Sequence, residues 1–266
     1  MPEVTDEDMG IQGKLSCNPE LETFEKNLTQ VLKEIEIANH NPGSIWKQTN
    51  LFLAVWSQFC YVGSQVAVSN YFLNFCEESG KSPSTSSNIF AAAQGLFTFN
   101  RFLAASLITF PFFRPRIVLA TYLFLSFVFT LAAALTNSNT SIILLCLAIC
   151  FESACFATIF SLGLRGLGRH TTIGGSLIVA AIGGGAVFPP LAGAVATKMQ
   201  KIGHKRPFHQ AMMVPMTGFI AAWIYPLYAN IWNRELIDIR CETQVGIKNL
   251  GGIVDVEQEM EKETLR

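Results

Sequence analysis

The chain has 266 residues, 50% of them hydrophobic and only 15% charged, with a formal net charge of −1 and a mean hydropathy of +0.34. Globular domains carry about a quarter charged residues, so the composition lies outside the ordinary soluble range, and without a basic excess it offers nothing to nucleic acid. The seven cysteines form no CxxC pair, and five lie in or beside apolar stretches, as small buried hydrophobes do rather than a disulfide frame or zinc site.

The N-terminus, Met1–Gly13, is acidic and polar and has no basic segment leading into a short apolar one, so it does not read as a secretory signal. Leu21, Phe24, Leu28, Leu32 and Ile35 then recur at three- and four-residue spacing among charged residues, which predicts an amphipathic helix over about 21–37. Asn41-Pro42-Gly43 ends it. Residues 1–48 are therefore expected to form a polar segment whose helix packs at the membrane edge or lies in the interface.

From about residue 49 to 232 the chain runs through six apolar stretches, at about 50–75, 86–110, 117–136, 141–164, 173–197 and 209–232. Each is long enough, at about 1.5 Å per residue, to cross a hydrocarbon core about 30 Å thick. An even number of crossings puts both termini on one side, with residues 233–266 as a tail. Lys47, Arg114, Arg116, Arg165, Arg169, Arg234 and Arg240 fall on the side of the termini, against Lys81, Lys198, Lys201, Lys205 and Arg206 opposite. Seven against five predicts cytoplasmic termini, in the plasma membrane, although the basic loop Lys198–Arg206 opposes that orientation. Of two glycosylation sequons, Asn27-Leu28-Thr29 would be cytoplasmic and Asn139-Thr140-Ser141 lies tight against the membrane.

Several spans carry groups that lipid does not tolerate alone. The first holds Gln58, Gln65, Asn70 and Asn74 with Tyr61 and Tyr71; the second holds Gln94, Asn100 and Arg101. The fourth holds Glu152. Amides in a bilayer either knit helices together or line a wet cavity. Arg101, within the apolar run 89–110, is expected to be buried toward a site, and Glu152 on another helix is its natural candidate partner, as a static ion pair or as part of a working network. The fifth span contains Gly183, Gly184 and Gly185 followed by Pro189 and Pro190, the makings of a tight contact with a kink, or of a hinge. The third is apolar and expected to face lipid, and the aromatics of the sixth are expected to anchor it at one interface.

The segments Gln58-Phe59-Cys60-Tyr61-Val62-Gly63-Ser64-Gln65 and Thr158-Ile159-Phe160-Ser161-Leu162-Gly163-Leu164 resemble the fucose permease family of the major facilitator superfamily. The likeness continues through the glycine triplet with its following proline, and Arg101 in Asn100-Arg101-Phe102 falls where that family has an arginine. Phe151–Phe160 followed by Arg165-Gly166-Leu167-Gly168-Arg169-His170 looks like fungal members described as glucose, galactose or fucose transporters. Two departures stand out. Bacterial members have a Gln-Tyr pair before a Pro-Thr-Ile-Phe motif, where this chain has Cys155-Phe156-Ala157, and Glu152 occupies a position that is apolar in those relatives.

The resemblance implies an all-α membrane protein matching the C-terminal six-helix half of a twelve-span fold, with a missing N-terminal half or a second copy supplying the rest. It implies transport of a monosaccharide with a proton as coupling ion and no cofactor. Gln65, Asn70, Tyr71, Gln94, Arg101 and Glu152 are the expected substrate-facing residues, and Gly183, Gly184, Gly185, Pro189 and Pro190 the expected hinge or packing residues. The alternative is a six-span structural or regulatory membrane protein without transport. An enzyme finds no support, since there is no HExxH, no GxSxG and no His or Asp cluster in the spans.

Overall fold

A chain crossing lipid has no water to satisfy its backbone, so apolar spans form helices that bond internally. The computed structural model describes residues 45, 48–110, 113–136, 139–167 and 170–232, which all belong to one unit, Pro42–Asp238. Among them there are helices and turns and no strand. The expected amphipathic helix over 21–37, the sequon at Asn27 and the C-terminal tail lie outside the described residues.

The helices are α1 (Thr49–Glu78), α2 (Pro83–Thr109), α3 (Pro115–Leu135), α4 (Asn139–Glu152), α5 (Cys155–Gly163), α6 (Thr171–Ala180), α7 (Gly184–Lys201), α8 (Pro207–Ala211) and α9 (Met213–Ile231). Thr49–Glu78, Pro115–Leu135, Asn139–Gly163, Thr171–Lys201 and Pro207–Ile231 are each long and apolar enough to cross a membrane. At about 1.5 Å per residue α2 also has the length to cross, but its first turns, from Pro83 to Asn88, are polar.

Three expected spans are therefore segmented. The fourth is interrupted at Ser153–Ala154 between α4 and α5, and the sixth changes course at Met212 between α8 and α9. In the fifth, one tight helical turn at Ala181–Gly183 separates α6 from α7, while α7 runs straight through Pro189 and Pro190. The prolines do not end the helix. They leave the carbonyls of Gly185 and Ala186 without their usual donors, and the irregular turn lies upstream of that weakened ladder.

Helix α1 is the hub, with α9, α7, α5 and α2 packed on it. Its Leu51, Tyr61, Phe72 and Phe75 are fully buried, as are Leu119 and Leu123 of α3, Ile159 of α5, and Phe219 and Tyr225 of α9. The third span is not simply lipid-facing: Val118, Leu119, Tyr122, Ser126 and Thr130 pack inward while Ile117, Phe124 and Leu135 are exposed. Nor do the aromatics of the sixth all anchor an interface. Tyr225 is buried and donates to the Asn50 side chain (3.3 Å), and Trp223 Nε1 donates to the Ala120 carbonyl (2.9 Å). Only Trp232, stacked on Tyr228 and 73% exposed, fits the expectation.

Close contact between α1 and α7 depends on Gly184. A methyl group there would collide with the Phe59 backbone carbonyl, whereas one on Gly183 would meet open space. Gly80, at φ 87°, turns the chain out of α1, and Ser82 then caps α2 by accepting from the Thr85 N–H (3.3 Å).

Candidate functional site

The interruption of the fourth span frees backbone carbonyls inside the membrane, and side chains from other helices take them up. Asn100 of α2 donates from Nδ2 to the Cys150 carbonyl (2.8 Å) and to Ser153 Oγ (3.1 Å). Tyr122 of α3 donates to Asn100 Oδ1 (3.3 Å), and Tyr61 of α1 donates to the Glu152 carbonyl (2.7 Å). Four spans thus meet at one polar knot. Satisfying these carbonyls avoids roughly 1–3 kcal/mol for each buried polar group that would otherwise be orphaned.

Glu152 sits in this knot with a contrast between its two ends. Its carbonyl is bonded, but its carboxylate is fully buried and neither oxygen has a hydrogen-bond partner. The expected ion pair is absent: among the described residues no contact within 4.0 Å joins Arg101 to Glu152. Arg101 is also exposed rather than buried. It follows Asn100 on α2, turned about 100° away from the face that reaches Ser153. Their backbones nonetheless come close, since Asn100, next to Arg101, bonds Ser153, the residue after Glu152 (3.1 Å).

Gln94 and Arg101 lie seven residues apart on one side of α2, with exposed Thr98 between them, so this helix presents a polar stripe. On α1 the candidates diverge. Gln65 is half-buried and Asn70 exposed, and five residues of helix set them roughly 140° apart. The Tyr71 hydroxyl donates to the Pro189 carbonyl (3.1 Å), and its ring stacks on Phe208 with centroids 6.1 Å apart. Tyr71 therefore ties α1 to α7 and α8. Of Gln94, Asn100 and Arg101 on α2, only Asn100 reaches the Glu152 segment, through Cys150 and Ser153, with half-buried Gln94 and exposed Arg101 on another side of the helix, whereas Tyr71 stands with α7 and α8. Gln58, seven residues before Gln65, is fully buried with neither amide atom bonded.

Two arrangements were not foreseen from sequence. The interruption at Ser153 has no glycine or proline to announce it. At the opposite end of α1, Glu78 accepts from the backbone N–H groups of Phe208 (3.2 Å) and His209 (2.9 Å) and contacts His209 Nδ1 at 2.7 Å. The His209 ring stacks on Phe75, with centroids 4.0 Å apart. A separate groove of about 360 Å³ runs between α2 and α4, lined by Lys81, Ile89, Leu96, Asn139, Ile142 and Cys146 among others, and holds none of the candidates.

No family model matches the chain. It is 35% identical over 174 residues to the L-fucose-proton symporter of Escherichia coli, a match covering 65% of this chain and 38% of that protein. It is 28% identical over 197 residues to a glucose/galactose transporter of Brucella abortus, covering 73% of this chain and 46% of the relative. The crystal structure of the major facilitator transporter FucP in the outward conformation superposes with a TM-score of 0.64 at 29% identity, over 73% of this chain and 45% of that one. The matched region thus spans less than half the length of these relatives, which are transporters rather than enzymes. By sequence and by fold the chain is an integral, multi-pass helical membrane protein homologous to the fucose-symporter group of the major facilitator superfamily.

Proposed function

We propose that this chain forms one wall of a monosaccharide–proton symporter, corresponding to the C-terminal half of a longer protein. Arg101 carries the reading. It stands exposed within a membrane helix, about eight residues from the end of α2, with exposed Phe99, Phe102 and Leu103 beside it. A guanidinium held there in lipid is costly, so the face that bears it is suited to a wet cavity or a polar partner. Gln94 and Thr98 extend that face with donors and acceptors that suit sugar hydroxyls. Names such as L-fucose-proton symporter and glucose/galactose transporter among the relatives support this substrate class.

In this reading the second wall comes from an N-terminal half or a second copy, and the substrate binds between walls that rock about a midplane site. The face bearing Arg114, Arg116 and Arg165 is the cytoplasmic one, in the plasma membrane. The test is uptake of labelled fucose, glucose and galactose into proteoliposomes under an inward proton gradient. A protein with both walls should accumulate one of these sugars, and this chain alone should not. Uptake by the chain as a monomer would refute the half-transporter assignment.

A further inference from the structure

Glu152 poses a problem that sugar binding does not solve. A carboxyl group with no exposed surface cannot touch a solute in this arrangement, and it gains nothing from the polar knot around it. Tyr61, Asn100, Tyr122 and Ser153 satisfy backbone carbonyls and one another, leaving both Glu152 oxygens aside. An ionised carboxylate with neither a hydrogen bond nor a counter-ion costs far more in a membrane interior than a protonated one. The environment of Glu152 thus favours the neutral acid over the carboxylate.

The groups that could change this are few. The helices packed on α4 and α5 are α1, α2, α3 and α6. From them Tyr61 and Tyr122 face the region, Arg101 stands at its edge on α2, Cys150 and Cys155 come from the same span, and α6 contributes no titratable residue. Arg101 is the one cation among these, and it lies next along the chain to Asn100, whose amide already reaches Ser153 beside Glu152.

We propose that Glu152 is a proton-binding site that alternates between an isolated protonated form, which the buried arrangement here suits, and an ionised form paired with Arg101. In the exchange the carboxyl O–H bond breaks and its proton passes to cavity water. The electron pair stays on the carboxylate, which then accepts N–H bonds from Arg101. A solute that occupies Arg101 draws it away and lets Glu152 take up a proton, so binding of solute and proton rise together. The coupling to sugar rests on the reading of the preceding subsection; the protonation of Glu152 does not.

The two are tested separately. Infrared spectra of this chain in nanodiscs should show a protonated-carboxyl stretch at neutral pH that is missing from E152Q, and R101A should keep that band to higher pH than the wild type. Absence of the band from the wild type, or a band unmoved by R101A, overturns the proposal whether or not sugar is transported. In the protein with both walls, E152Q should lose proton-driven accumulation, while sugar–sugar exchange, which needs no net proton movement, falls no more than severalfold. Accumulation by E152Q at the wild-type level, with sugar-induced alkalinisation intact, also overturns it. Failure of the wild type to move any monosaccharide would refute the transport reading and leave the infrared result standing.

Discussion

Tyr61 on α1 donates its hydroxyl to the Glu152 carbonyl 2.7 Å away, at the point where the fourth span is interrupted. The bond lies in the buried core, so Tyr61→Phe removes a donor without opening a cavity and should cost about 1 kcal/mol. Asn100→Ala should cost more, about 1–3 kcal/mol, because it removes the partner of the Tyr122 hydroxyl and of Ser153 Oγ and leaves the Cys150 carbonyl only the bond from the Ser153 N–H (3.3 Å). Thermal unfolding in detergent measures both, and the double variant should deviate from additivity because the two side chains serve one break.

The glycine triplet should divide under substitution. Gly184→Ala drives a methyl into the Phe59 carbonyl and must push α7 off α1, at a cost of about 1–3 kcal/mol. Gly183→Ala meets open space in helical backbone (φ −52°) and should be neutral or mildly stabilising. Comparing the two melting temperatures checks this directly, and equal losses would remove the close-contact role from Gly184.

At the other end of α1, the Glu78 carboxylate accepts from three donors at the start of α8. Glu78→Ala should destabilise by about 1–3 kcal/mol, since it orphans backbone N–H groups and a buried imidazole nitrogen. Glu78→Gln keeps one acceptor oxygen and should lose less. Protease sensitivity of the 202–212 connection is a second readout, expected to rise in the alanine variant first.

Much of the architecture was legible in the residues. Apolar length and the scarcity of charge mark the spans, and a polar group in such a span marks a place where helices meet, as Asn100 and Tyr61 do. What escaped was the direction in which groups point and the places where helices break. Arg101 was expected to be buried because charge in an apolar run must be shielded, but the shielding need not come from this chain. Its pairing with Glu152 was inferred from opposite sign alone, and sign does not fix distance. The interruption at Ser153 depends on side chains from three other helices, which no local pattern reveals. Glu78 and His209 lie 131 residues apart in sequence, and only the packing of α8 on α1 brings them together.

The claim that Arg101 lines a sugar path is tested most directly by uptake in the protein carrying both walls. Arg101→Ala should fold normally, because the side chain is exposed, and should lower uptake of the preferred monosaccharide roughly tenfold or more, the scale of one lost hydrogen bond to a charged group. Arg101→Lys should recover only part of it, since an ammonium cannot reproduce the guanidinium fork. Undiminished uptake in Arg101→Ala would contradict the account.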